Sequence, residues 1–152
     1  MRDLSNHDID RALRKVSPVR DMYLGAFPVD RLPELHLYNF PAMLVVNTDP
    51  HNLPGRHWIS IFIDGDRQGE VFDPLASPLS NHVIRFMNTW TRRWMTNHNM
   101  YQHPRSHACG VFVLYHLLNR LCYPSLTALL QTLSPNPMEN EMIMTAFYRR
   151  HQ

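Results

Sequence analysis

The hairpin implied by residues 57–74 constrains this chain more than any other feature. Trp58-Ile59-Ser60-Ile61-Phe62-Ile63 is β-branched and aromatic, the composition of a buried strand. Asp64-Gly65-Asp66 turns the chain, residues 69–73 return as a second strand, and Pro74 ends it. Two antiparallel strands joined by a tight turn bring their open ends together. His57 stands at the start of one strand and Asp73 at the end of the other, so the hairpin predicts an imidazole beside a carboxylate. That pairing is what a nucleophilic site requires, because the carboxylate fixes the ring tautomer and stabilises the imidazolium.

The other segments read as short elements around this hairpin. Ser5 caps a helix with Ile9, Ala12, Leu13 and Val16 at helical spacing, stopped at Ser17-Pro18;. Residues 22–40 read as mostly loop, and Ala42–Asn47 as a strand. Residues 79–95 follow a helical period, with Val83, Phe86, Met87, Trp90 and Trp94 on one face;. Met100-Tyr101-Gln102 reads as a short strand, and residues 108–121 as a helix apolar nearly all round, hence buried;. Ser125 caps a short helix with Leu126, Leu129 and Leu130. Asn136-Pro137-Met138-Glu139 has the pattern of a capping box opening a last helix;. The expected architecture is α+β, a single domain over residues 1–152, with a small mixed sheet in the middle flanked by helices.

Cys109 falls where the loop Pro104-Arg105-Ser106-His107 gives way to the apolar helix. A cysteine at a helix N-terminus meets unpaired amides and the positive end of the dipole, and with an imidazolium nearby these favour the nucleophilic thiolate. Gly110 is expected to leave room for a substrate backbone. Gln102 lies seven residues before Cys109, from where its amide could face the developing oxyanion beside the Cys109 N–H. Trp58 is expected to shield the imidazole from water. Cys122, among leucines, reads as packing.

Bulk properties set the compartment. Hydrophobic residues make up 44% and charged residues 18%, with a formal charge of +2. This globular composition permits contact with nucleic acid without demanding it. Two cysteines form no disulfide framework, no Asn-x-Ser/Thr sequon occurs, and no apolar leader or membrane-length run is present;. The expectation is a soluble protein of a reducing compartment, not secreted and without a membrane partner.

Gly55-Arg56-His57-Trp58, Phe72-Asp73-Pro74, Gln102 and Ala108-Cys109-Gly110-Val111-Phe112 together, in the order His, acid, Gln, Cys, resemble the adenain family of adenovirus-type maturation proteases, related to the Ulp/SENP group. Met22-Tyr23-Leu24-Gly25 with Phe27, and Val45-Val46-Asn47-Thr48, resemble it too. The resemblance implies the papain-like fold in adenain/Ulp chain order, with Cys109, His57, Asp73 and Gln102 catalytic. It implies a thiol endopeptidase cleaving virion precursor proteins after glycine, needing no cofactor or metal for the chemistry. It also implies a monomer found in the virion and in the host nucleus or cytoplasm. DNA or a peptide is the implied activator, with Arg85, Arg92, Arg93, Arg149 and Arg150 available to phosphates. Two positions depart from the family pattern. Asp73 stands where adenoviral enzymes carry glutamate, and no cysteine precedes Cys109, so disulfide-linked peptide activation is not expected. The chain is also short for the family, which points to a distant viral or virus-like element.

Two other readings stay open. A Ulp/SENP-type protease of ubiquitin-like modifiers would keep the catalytic residues, but an aspartate and one residue fewer are expected there, where this chain has Ala108 and the seven-residue step. A metal-stabilised nucleic-acid-binding module would use His98, His103, His107 and Cys109, although their spacing is not a standard zinc pattern.

Overall fold

The computed structural model describes residues 3–49 and 57–152. Gly55 and Arg56 of the first motif lie outside the described residues. Helix α1 (Asn6–Arg14) starts at Ser5, whose hydroxyl accepts from the Asp8 N–H while the Asp8 carboxylate reaches back, a reciprocal cap;. Then come α2 (Val19–Met22), β1 (Tyr23–Pro28), β2 (Ala42–Asn47), β3 (Trp58–Ile63), β4 (Gln68–Phe72), α3 (Asn81–Trp90), β5 (Arg93–Thr96), α4 (Cys109–Asn119), α5 (Leu126–Leu130) and α6 (Pro137–Arg150). The five strands form one mixed sheet in the order β1-β2-β3-β4-β5. The two outer pairs are parallel and the two inner pairs antiparallel.

Both faces of the sheet are covered, which explains why β2 and β3 are apolar runs without polar alternation. Trp58, Phe62, Phe72, Met43 and Val45 face α4 and the helices around it. Ile59, Ile61, Ile63, Leu44, Val46 and Val71 face Val83, Phe86 and Met87 of α3. Helix α4 lies across β3 with Cys109 at its first turn.

Buried within the first of these layers is a polar network. Glu70 of β4 accepts from His116 Nε2 at 2.6 Å and from Arg120 Nε at 2.9 and 3.0 Å. Ser60 of β3 pairs with His116 Nδ1 at 2.7 Å. Burial opposes the charge on Glu70, but His116 and Arg120 outweigh it and hold the carboxyl below its usual range;. The network ties α4 to β3 and β4.

Several expectations need correction. Residues 22–40 are not mostly loop: they hold β1 and a 3₁₀ segment, Val29–Glu34. The β1–β2 register breaks between Tyr23 and Ala26, where Gly25 has φ 141°, a bulge that hides the strand's period. The helical pattern over residues 79–95 stops at Trp90, because Thr91 caps it through its N–H and hydroxyl on the Met87 carbonyl. Trp94 belongs to β5, which pairs with β4. Met100-Tyr101-Gln102 is not a strand, and the helix expected over 108–121 ends at Asn119 before a 3₁₀ turn. Asn136 does cap α6, accepting from the Met138 N–H, but Glu139 accepts from the Ser134 hydroxyl and closes no reciprocal box.

Candidate active site

The hairpin register sets up the first pair. Its last registered step places Ser60 opposite Phe72, so Asp73 falls across from Ile59 and His57 is its diagonal neighbour on the same face. His57 Nε2 donates to Asp73 Oδ1 at 2.6 Å. The His57 backbone is held as well, since its carbonyl accepts the Thr48 N–H at 2.9 Å.

Asp73 is 2% exposed, and its carboxylate is fixed by more than the histidine. Oδ1 accepts the Leu75 N–H at 2.9 Å and Oδ2 the Ser77 N–H at 3.1 Å. The turn that delivers these amides puts Ala76 at φ 50°, a left-handed conformation costing about 1–2 kcal/mol for a residue with a Cβ. Asn97 clamps the Asp73 backbone, accepting its N–H at 2.9 Å and donating to its carbonyl at 2.7 Å. Sequence reasoning missed Asn97, an isolated asparagine with no pattern around it.

His57 also hydrogen-bonds to Cys109, and with Nε2 occupied by Asp73, Nδ1 is the nitrogen left for the sulfur. Burial pulls the imidazolium down, but Asp73 and Cys109 outweigh it and raise the His57 pKa to about 9;. Near neutral pH the ring therefore carries its proton between a carboxylate and a sulfur. Cys109 is the first residue of α4, and Ala108 offers no side-chain cap. A helix opening of this kind favours negative charge.

Gln102 is buried, and its backbone hangs from the acid's strand: the Pro74 carbonyl accepts the N–H groups of both Tyr101 and Gln102, at 2.8 and 3.0 Å. Its Nε2 donates to the Ser106 carbonyl at 2.9 Å, which leaves one further N–H on that nitrogen;. Its Oε1 is buried with no hydrogen-bond partner among the described residues, a cost of about 1–3 kcal/mol.

Gly110 has a different role from the one expected. A Cβ there would lie 2.9 Å from Leu4 Cβ, so the glycine admits Leu4 and not a substrate backbone. The Leu4 carbonyl accepts from Trp58 Nε1 at 3.1 Å. A cleft of about 390 Å³ reaches His57 and Asp73, with Thr48, Ile59, Leu79 and Val83 in its walls. The ligands of the metal-bound alternative are not gathered: among the described residues no group of three or more His, Cys, Asp or Glu is arranged to hold a metal ion. Instead, His103 Nδ1 accepts the Arg105 N–H and His107 pairs with Asp3. Cys122 is exposed, not packed in the core.

The five-stranded mixed sheet between helices is that of papain-like cysteine proteases in adenain/Ulp chain order, as the resemblance implied. The ASFV pS273R protease shares the fold, with 20% identity and a TM-score of 0.67 over 88% of this chain. This chain spans 62% of that protein's length. ChlaDub1 from Chlamydia trachomatis matches with 11% identity and a TM-score of 0.68 over 99% of this chain and 93% of that one. The central domain of the uncharacterized Lpg1148 protein from Legionella pneumophila matches with 14% identity and a TM-score of 0.52, over 100% of both chains. At these identities the likeness is one of fold. No protein-family model matches the chain, and no curated protein matches it significantly.

Proposed function

We propose that this chain is a viral-type cysteine endopeptidase that cleaves virion precursor proteins after glycine. The observation that carries the reading is His57, bonded on one side to Asp73 and on the other to Cys109 at the start of α4. In this mechanism Cys109 Sγ attacks the scissile carbonyl carbon. The oxyanion is taken by the Cys109 N–H and the remaining Gln102 N–H. The tetrahedral intermediate collapses as the C–N bond breaks, and His57 gives its proton to the leaving amine. Water then attacks the thioester with His57 as base, releasing the acid and the thiol. Asp73 holds the ring orientation throughout.

The substrate, compartment and activator follow the resemblance. The protein acts as a monomer in the virion and in the host nucleus or cytoplasm. Arg85 on α3, Arg92 and Arg93 at β5, and Arg149 and Arg150 at the end of α6 are exposed and serve an activating DNA by phosphate contact. A peptide activator, where present, binds without a disulfide.

The test is cleavage of a Gly-x-Gly peptide set against a ubiquitin-like precursor. Peptide cleavage that disappears in Cys109→Ala and in His57→Ala, both folded, is the expected result. Preferential cleavage of the ubiquitin-like precursor would move the protein to the Ulp/SENP reading, and full activity in either variant would overturn the mechanism.

A further inference from the structure

Ser106 meets one proposed oxyanion donor, Gln102, and the residue just before the other, Cys109. Its carbonyl accepts Gln102 Nε2 at 2.9 Å, and its hydroxyl oxygen accepts the N–H of Ala108, the residue before the nucleophile, at 3.1 Å. The hydroxyl hydrogen goes elsewhere: Ser106 Oγ lies 2.9 and 2.8 Å from the two carboxylate oxygens of Glu141 on α6. A carboxylate can only accept, so Glu141 makes the hydroxyl its donor and turns the oxygen lone pairs toward Ala108. The Ser106 N–H is satisfied by the His103 carbonyl at 2.9 Å.

The amide of Gln102 has little else to orient it. Its Oε1 has no partner among the described residues, and the side chain is buried. Rotating the amide by half a turn would set two acceptor oxygens face to face at Ser106, so this single contact decides which way the N–H₂ points. One of its hydrogens is spent on Ser106, and the direction of the other follows.

We propose that Ser106, held by Glu141, is a positioning residue that aligns Gln102 and the start of α4 for oxyanion binding. The proposal rests on the cysteine-protease reading. It concerns the stabilisation of the tetrahedral intermediate and not the formation of the thiolate, and that difference makes it testable.

Three measurements on the full chain separate the two. These are turnover of a fluorogenic peptide amide with glycine before the leaving amine, inhibition by the matching peptide aldehyde, and alkylation of Cys109 by iodoacetamide. The aldehyde forms a tetrahedral adduct that uses the oxyanion donors, whereas alkylation needs only the thiolate. Removal of one donor costs about 10²–10³ in kcat, and misalignment costs less. Ser106→Ala is expected to lower kcat by roughly tenfold to a hundredfold and to weaken the aldehyde by a similar factor. KM and the alkylation rate should stay within about twofold. Ser106→Thr, which keeps the hydroxyl, should restore most of the loss. Glu141→Gln retains an acceptor and should fall between wild type and Ser106→Ala, giving a second test if the alanine variant does not fold. Unchanged kcat and aldehyde affinity in Ser106→Ala, or a parallel fall in alkylation, overturns the proposal while Cys109-dependent hydrolysis keeps the protease reading. Hydrolysis that does not depend on Cys109 overturns both.

Discussion

Among the described residues two imidazole–carboxylate pairs stand at the same distance, and their surroundings differ. His57–Asp73 and His116–Glu70 both stand at 2.6 Å. Each imidazole also has a potential nucleophile on its other side, Cys109 for His57 and Ser60 for His116. On distances alone the buried Ser60–His116–Glu70 set has the order of a serine hydrolase triad. Yet the His116 side chain is 0% exposed, and Ser60 lies mid-strand between Val45 and Phe72. Glu70 is also committed to Arg120. The His57 side chain keeps 15% exposure, opens on a cleft, and faces a helix start. A triad is therefore defined by access and by what surrounds the developing charge, not by the chain of hydrogen bonds. The core set anchors α4; the set that opens on the cleft is the one proposed for the chemistry.

Exchange of the nucleophile positions gives the largest expected contrast. Cys109→Ala should lower kcat/KM by at least about 10³-fold, while Ser60→Ala should leave turnover near wild type once folding is checked by circular dichroism. Loss of turnover in Ser60→Ala alone would reverse the assignment of the two sets.

Removal of the acids comes next. Glu70→Ala leaves His116 and Arg120 without their partner in the core and should cost about 3–5 kcal/mol, read from the urea midpoint. Asp73→Asn should lower kcat by about 10² with a much smaller loss of stability. If both substitutions act mainly on stability, the distinction between site and core fails.

The pairs should also respond at opposite ends of the pH scale. The folded His57 pKa, about 9, lies above its ordinary value of 6.5. Its stabilisation is complete below about pH 6.5 and is lost as pH rises through about 9, and peptide cleavage should decline over the same alkaline range. Glu70 is held below 4.5, so its contribution is present above that value and lost as pH falls through the lowered one. A pH–rate profile and pH-dependent urea melts measure the two limbs; a rate that keeps rising above pH 10 would contradict the His57 assignment.

The smallest expected contrast is between the two thiols. Cys109 is 4% exposed and Cys122 is at the surface, yet iodoacetamide should label Cys109 about tenfold faster, because the His57 imidazole stands beside it at the start of α4. Mass spectrometry of labelled peptides reads the ratio, and equal labelling would remove the sulfur from the proposed mechanism.

The geometry of the candidate site was more legible in the sequence than the sheet around it. The hairpin could be read because β3 and its turn are local, and one tight turn fixes where both ends meet. Helix α4 could be read because it is apolar on every side. The edge strands could not: β1 is interrupted at Gly25, and Trp94 of β5 happens to continue the helical spacing of Val83, Phe86 and Met87. Their pairing depends on partners distant in sequence, which no local period records. The contacts made by Asn97, Ser106 and Glu141 were invisible for the same reason, since isolated polar residues carry no pattern until the fold supplies their partners. Leu4 stands beside a cap that was identified, but nothing in the sequence connects it to Gly110.

The carbonyl of Pro74 has a consequence for how such a protein can change. One oxygen suspends Tyr101 and Gln102 from the residue that follows the acid. Asp73 and Gln102, the proposed acid and oxyanion donor, are thus two ends of one lever, and neither can drift alone over generations of substitution. A longer carboxylate at position 73, if the ring of His57 stays put, must push Pro74 back and carry Gln102 with it. Swapping the acid is therefore a two-site event, and a homologue with glutamate there should show its compensation in the turn beneath the glutamine.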